Sequence, residues 1–231
     1  MPNMKRVAIT GSSGYLGGKL VEYCQAAGAR VLGLDVNTPN TVDPDEFEKL
    51  DMCDPGLTDR LSTFQPDTII HSAFVFQPMR DEVRMRQINI NGAENVFAAV
   101  AKVKPERFLL VSSATAFGAW PDNPVPMRED WQLRARKEYQ YAADKAEVEQ
   151  AVATFANLHQ DVNTSWVRPA IIGGPRMDNY LYRFIFGMPF LARLDGYDVP
   201  LQFVHEDDVV AAIGAILDAN GRGAYNVGPP D

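Results

Sequence analysis

A chain of 231 residues and 25.6 kDa holds one large domain, or one domain with an appendage, at roughly 150 residues per domain. Hydrophobic residues at 46% and charged residues at 23% are ordinary for a globular protein with a core and exclude a disordered, fibrous or collagen-like chain. With 30 acidic against 22 basic side chains the net charge is −8. Such a surface repels phosphate backbones and anionic lipid, so no nucleic acid and no membrane is expected as a partner, while a local basic pocket for one small anion stays open.

The elements alternate almost from end to end. Arg6 to Thr10 reads as a β-strand, Gly14 to Ala27 as a helix stopped by Gly28, and Arg30 to Asp35 as a second strand. A short helix at Gly56–Phe64 precedes a strand at Asp67–Ser72, and Val83 to Val103 has helical spacing. Arg107–Ser112 is a further strand, Tyr139–Leu158 a long helix and Val162–Val167 a strand. Val209–Leu217 is a helix that Asp207 or Asp208 is placed to cap. Asn37–Glu48, Trp120–Asp130 and Gly173–Pro200 look least regular, and long loops in a compact domain are usually functional or mobile. Short apolar strands between helices predict an α/β, doubly wound parallel sheet of about seven strands, with ligands at its C-terminal edge.

The longest apolar run, Val209–Leu217, falls far short of the roughly 20 residues that span a bilayer. The N-terminus lacks the apolar core of a secretory signal. Cys24 and Cys53 form neither a disulfide framework nor a CxxC pair, and a cytoplasmic location is expected.

Thr10-Gly11-Ser-Ser-Gly14-Tyr15-Leu16-Gly17 lies between the first strand and the first helix. Gly11 permits a tight turn, Gly14 lets backbone N–H groups approach a pyrophosphate, and Gly17 lets the helix pack close on the sheet. The helix N-terminus favours anions. Taken alone such a turn is as often structural as functional; its strand-before, helix-after context favours a dinucleotide. Asp35 ends the second strand 18 positions beyond Gly17. A carboxylate there can accept both ribose hydroxyls and would repel a 2′-phosphate, and no Arg or Lys follows in Val36–Asn40, so NAD is expected over NADP.

Tyr141 and Lys145 are four residues apart and share a helix face. A phenol titrates near 10, too high for a base at neutral pH, and a nearby ammonium would favour its phenolate. Ser112-Ser113 follows a strand end at the same sheet edge, where a hydroxyl can donate to the oxygen of a substrate alcohol or ketone, or merely cap a turn. His71 on a buried strand is read as packed structure. His205-Glu-Asp-Asp208 has no second His at ligand spacing, so it reads as a helix cap and no metal is expected.

Together these segments resemble the extended short-chain dehydrogenase/reductase family, in its NAD-dependent epimerase/dehydratase branch. The resemblance runs over nearly the whole chain: the glycine turn, Asp35, Asp51-Met52, His71-Ser-Ala73, Asn89-Ile-Asn-Gly92, Ser112-Ser113, Tyr141 with Lys145, Arg168-Pro169 and Phe203-Val-His-Glu-Asp-Asp208. It implies a Rossmann fold over residues 1–172, a substrate-side loop or cap over 173–203, and a returning helix and strand over 204–231. It makes Tyr141 the acid/base, with Lys145 holding the nicotinamide ribose and tuning Tyr141, and Ser113 polarising the reacting oxygen. Gly11, Gly14, Tyr15, Leu16, Gly17 and Asp35 would bind the dinucleotide, and Asp51 and Met52 its adenine. Ser72, Ala73 and Phe74 would line the cofactor, Asn89 would support it, and Ala170 would lie beside the nicotinamide. A small-molecule substrate and a homodimer are also implied.

Ser112–Gly118 looks most like the corresponding segment of UDP-galactose epimerases. Dehydratases of the branch carry Asp-Glu where this chain has Ala114-Thr115, which disfavours dehydration. Nucleotide-sugar members usually have an Asn where this chain has Ile171, an apolar residue that reductases of steroids or flavonoids tolerate. The aromatics Tyr180, Tyr182, Phe184, Phe186 and Phe190 are either an apolar pocket wall or core. Relatives continue beyond Tyr225–Asp231, so the cap is either truncated or minimal. The expected function is NAD-dependent epimerisation, with dehydrogenation or reduction of a more apolar alcohol or ketone as the alternative. A dinucleotide sensor without turnover is the rival from another class.

Overall fold

The computed structural model describes residues 4–76, 81–175, 177 and 201–229. Seven parallel strands form one sheet: β1 (Arg6–Thr10), β2 (Arg30–Asp35), β3 (Glu46–Lys49), β4 (Thr68–His71), β5 (Arg107–Val111), β6 (Asn163–Pro169) and β9 (Gly223–Val227), in the order β3-β2-β1-β4-β5-β6-β9. Two three-residue strands, β7 (Ile171–Gly173) and β8 (Phe203–His205), pair separately in parallel. Central strands are buried along their whole length because both faces are covered; β5 and β4 expose nothing.

On one face, α1 (Tyr15–Ala26) and α5 (Glu206–Asp218) enclose a core with Val7, Ile9, Ile70, Leu109 and Val167. On the other, α2 (Leu57–Phe64), α3 (Glu82–Val103) and α4 (Gln140–Leu158) pack on Ala8, Leu32, Ile69, Phe108 and Leu110. Successive residues of each strand thus serve opposite layers, as period-two side-chain alternation requires. Phe97, Phe108 and Phe155 meet at centroid separations of 5.7–6.0 Å at the centre of the second core. Gly28 follows the α1 C-cap at φ +85°, a left-handed turn that ends the helix where the sequence places its stop.

Three local expectations are corrected. Residues 46–49, overlapping the end of the Asn37–Glu48 stretch read as irregular, form edge strand β3, held in register with Leu32–Asp35. α5 begins at Glu206 rather than Val209. Its N-cap is His205, whose Nδ1 accepts the Asp207 N–H at 3.2 Å, so neither Asp207 nor Asp208 is the cap. The strand foreseen in 204–231 is β9, which adds to the main sheet beside β6. The aromatics Tyr180 to Phe190, and most of the expected cap, lie outside the described residues.

Strand order reverses between β1 and β4, which run side by side while their connections lead away in opposite directions. Such a point leaves a crevice beyond the carboxyl ends of the two strands, the usual ligand site of an open α/β sheet.

Candidate active site

That crevice carries two adjoining cavities. One, of about 320 Å³, runs past Gly11 and Gly14 to Asp35, Asp51, Met52 and Ala73. The other, of about 280 Å³, holds Tyr15, Leu16, Gly17, Ser113, Tyr141, Lys145 and Ala170. Gly11, Gly14, Ser72 and Phe74 line both. Every expected site residue except Asn89 therefore borders one or both of these adjoining cavities.

The glycine turn is shaped by close approach. Gly11 has φ +74°, and a Cβ on it would lie 2.6 Å from the Ala73 backbone. A Cβ on Gly17 would lie 1.9 Å from the Gly11 carbonyl oxygen, so this glycine packs α1 onto its own turn rather than onto the sheet. α1 starts on Gly14 with no side-chain cap and no acid in its first turn, which suits a bound anion. At the far rim Asp35 accepts the Ser13 N–H at 3.0 Å and the Asn37 N–H at 2.8 Å. The carboxylate is thereby fixed at the edge of the groove. An uncapped helix end, a glycine cradle and a fixed strand-end carboxylate together fit the diphosphate and ribose of an adenine dinucleotide.

Asn89 does not reach the groove. It is fully buried on α3; its Oδ1 accepts the Val75 N–H at 2.9 Å and its amide donates to the Val75 carbonyl at 3.2 Å and to Asp144 at 3.1 Å. Asn89 thus supports the loop after β4, which in turn lines the groove.

In the second cavity α4 places Tyr141 and Lys145 one turn apart. Lys145 is 4% exposed, donates to the Val111 carbonyl at 2.7 Å and lies 5.9 Å from the Tyr141 ring centroid. Burial pushes its amine down to about 7, partly opposed by the Glu149 carboxylate. Ser113 caps a 3-10 turn (Ala114–Phe117), its Oγ accepting from the Thr115 N–H at 3.2 Å and the Thr115 hydroxyl at 2.9 Å. Its own proton can then point to a ligand oxygen. Phe76, Val111, Ile171 and Ile172 make much of the remaining wall apolar.

Sequence reasoning missed the support behind the pair. Glu149, one helical turn beyond Lys145, is 2% exposed and accepts from Ser112 Oγ (2.7 Å), Trp166 Nε1 (2.9 Å) and Arg168 Nε (2.7 Å). Its signal was the Tyr141–Lys145–Glu149 spacing of four on one helix face. Also unforeseen, Tyr15 donates to Glu206, which pairs with Lys19 at 3.1 Å and ties α1 to α5. His71 is buried as expected, its Nδ1 2.7 Å from Thr10 Oγ1.

A family model described as the NAD dependent epimerase/dehydratase family matches residues 7–228. The UDP-glucose 4-epimerase of Mycolicibacterium smegmatis is 30% identical over 96% of this chain and 77% of its own length. An uncharacterized protein of Mycobacterium tuberculosis (strain ATCC 25618 / H37Rv) is 27% identical over 97% of this chain; the chain spans 62% of that relative's length. Among solved structures, the UDP-glucose 4-epimerase of Thermus thermophilus in complex with NAD has a TM-score of 0.83 at 25% identity, covering 98% of this chain and 78% of that one. The Bordetella bronchiseptica enzyme WbmH in complex with NAD+ gives 0.80 at 25% identity, covering 99% and 76%. A glycine turn and a tyrosine–lysine pair border a crevice at the β1/β4 reversal, and the family model matches nearly the whole chain around it: the chain belongs to the NAD dependent epimerase/dehydratase family, and its cofactor is NAD.

Proposed function

We propose that this protein oxidises a secondary alcohol through Tyr141 and then re-reduces the ketone in place, as an epimerase of a nucleotide sugar. The observation that carries the proposal is the meeting of Ser113, Tyr141 and Lys145 in the cavity that continues the glycine groove. Bound NAD supplies the hydride acceptor and, on the return, the donor. Gly11, Gly14 and Gly17 shape the seat of the diphosphate, and Asp35 takes the ribose hydroxyls. Asp51 and Met52 border the adenine. Tyr141 accepts the hydroxyl proton as the carbon loses hydride, and Ser113 donates a hydrogen bond to the oxygen as it becomes a carbonyl. Lys145 in its protonated form favours the Tyr141 phenolate. For the carbon to invert, the bound ketone would turn over to present its other face to the nicotinamide, and Tyr141 would give the proton back to its oxygen.

Residues 173–203 form the substrate-side cap in this proposal. In this proposal the molecule works in the cytoplasm as the homodimer that the resemblance implies, with α3 and α4 as the pairing helices.

A second reading rests on the apolar wall of Phe76, Ile171 and Ile172: net dehydrogenation or reduction of a less polar alcohol or ketone. Proton NMR of UDP-galactose incubated with the NAD-loaded protein separates them. Appearance of UDP-glucose supports epimerisation. No sugar conversion, together with consumption of NADH on an apolar ketone, supports the second reading, and neither reaction would refute both.

A further inference from the structure

Phe74 stands three residues beyond β4, at the junction of the two cavities, and lines both. Its ring centroid is 3.7 Å from Lys145 Nζ and 5.6 Å, edge to face, from the Tyr141 ring. A ring at that distance lies in contact with the amine and keeps water from it. With the Val111 carbonyl on another side of Nζ, the lysine is closed off. A Lys145 covered in this way cannot also hold the nicotinamide ribose, the role that the family resemblance implies for it.

We propose that Phe74 is a positioning residue that covers Lys145 in the nucleotide-free protein and withdraws as the nicotinamide half of the cofactor enters, joining the two cavities into one groove. The inference rests on the NAD-dependent tyrosine–lysine reading of the site. Among the described residues, the charged and titratable groups around Lys145 are Glu149 one turn along α4, His71 on β4, and Tyr141. His71 is uncharged at neutral pH, because burial and Lys145 itself push it down to about 3. Glu149 keeps its place whether or not Phe74 moves, being fixed by Ser112, Trp166 and Arg168. Withdrawal of the ring therefore rehydrates the amine while its carboxylate partner stays, and Lys145 takes a proton from the buffer as NAD binds.

The test is calorimetric titration of the nucleotide-free protein with NAD, near pH 8, in buffers of different ionisation enthalpy. The wild-type protein should take up about one proton per NAD bound. Phe74→Ala and Phe74→Leu, whose amine is already hydrated, should lose most of that uptake, and Phe74→Tyr, which keeps the ring, should restore it. Lys145→Met should abolish it. In parallel, the Lys145 side-chain carbon signal of the nucleotide-free chain should titrate near neutrality in the wild type and markedly higher in Phe74→Ala or Phe74→Leu. At neutral pH that is a fall of about tenfold or more in the ratio of neutral to charged amine. Absence of proton uptake in the wild type, or the same uptake and titration in folded Phe74→Ala and Phe74→Leu, would overturn the proposal. Failure of NAD to bind at all would instead remove the cofactor reading, and the titration of the nucleotide-free chain would still decide whether Phe74 is the cover.

Discussion

Two buried bases lie at the carboxyl ends of the central strands, and both are held below their ordinary titration range by loss of water. Lys145 is pushed down to about 7 and His71 to about 3. For His71 the folded value lies below the unfolded value near 6.5. Between about 3 and 6.5 the unfolded chain binds the extra proton, so this group lowers stability as pH falls through that window and costs nothing above it. Urea unfolding of His71→Gln against the wild type should show the difference. The substitution should flatten the acid limb by up to about 1.4 kcal/mol per pH unit and leave the difference between the two proteins constant above pH about 6.5. His71 Nε2 has no hydrogen-bond partner among the described residues, which fits a ring kept neutral. In the sequence His71 read correctly as packed structure, because a histidine inside an apolar strand run is buried on both sides. The same reasoning could not find the Phe74–Lys145 contact, since nothing in residue spacing says which side chain of the β4 loop folds back over α4.

At the scale of the element, α4 unites the chemistry with its support. One face carries Tyr141, Lys145 and Glu149 in successive turns, and the carboxylate of Glu149 is buried against Arg168 on β6. Removing one member of a buried, hydrogen-bonded ion pair typically costs about 3–5 kcal/mol, because the other charge is left without a counter-ion. Glu149→Gln should therefore lower unfolding free energy by about that amount, measured by chemical denaturation. It should also lower the Lys145 titration further, since Glu149 is the group that opposes burial there. A neutral result on both would show that the Arg168 network is incidental.

Strand legibility followed burial. β1, β2, β4 and β5 carry short apolar runs, β6 only Trp166-Val167 among buried polar residues, and all five are readable within a residue or two. β3 was not, because Glu46-Phe-Glu-Lys49 is a charged edge strand whose pairing with β2 is made by backbone groups. β7 and β8 are too short for periodicity to register. The start of α5 was misplaced because its first turn, Glu206-Asp-Asp208, is polar, while an apolar-period search begins at the first apolar residue.

For the whole molecule, the groove at the β1/β4 reversal couples folding to ligand. NAD bound only by the folded chain should stabilise it by about 2.7 kcal/mol at a hundredfold excess over Kd. Gly17→Ala should erase that gain, because its Cβ would lie 1.9 Å from the Gly11 oxygen and the turn would have to open. Thermal unfolding with and without NAD reads both. Equal stabilisation of wild type and variant would place the nucleotide elsewhere. Most of this groove was legible as sequence. The glycine turn, Asp35, Ser113 and the Tyr141–Lys145 pair depend on local spacing around strand ends, and the structure brings them together. The substrate side was legible only as an apolar tendency at Ile171, because its identity depends on contacts between segments far apart in sequence.

The central claim, that Tyr141 moves the substrate's proton while NAD takes its hydride, is tested most directly by the reduced-nicotinamide absorbance of NAD-loaded protein mixed with UDP-glucose or an apolar secondary alcohol. The wild type should develop that band with at least one of them. Tyr141→Phe should retain NAD with undiminished affinity yet form the band about 10²–10⁴-fold more slowly, the usual contribution of a positioned acid/base. A Tyr141→Phe protein that reduces its NAD as fast as the wild type would contradict the account.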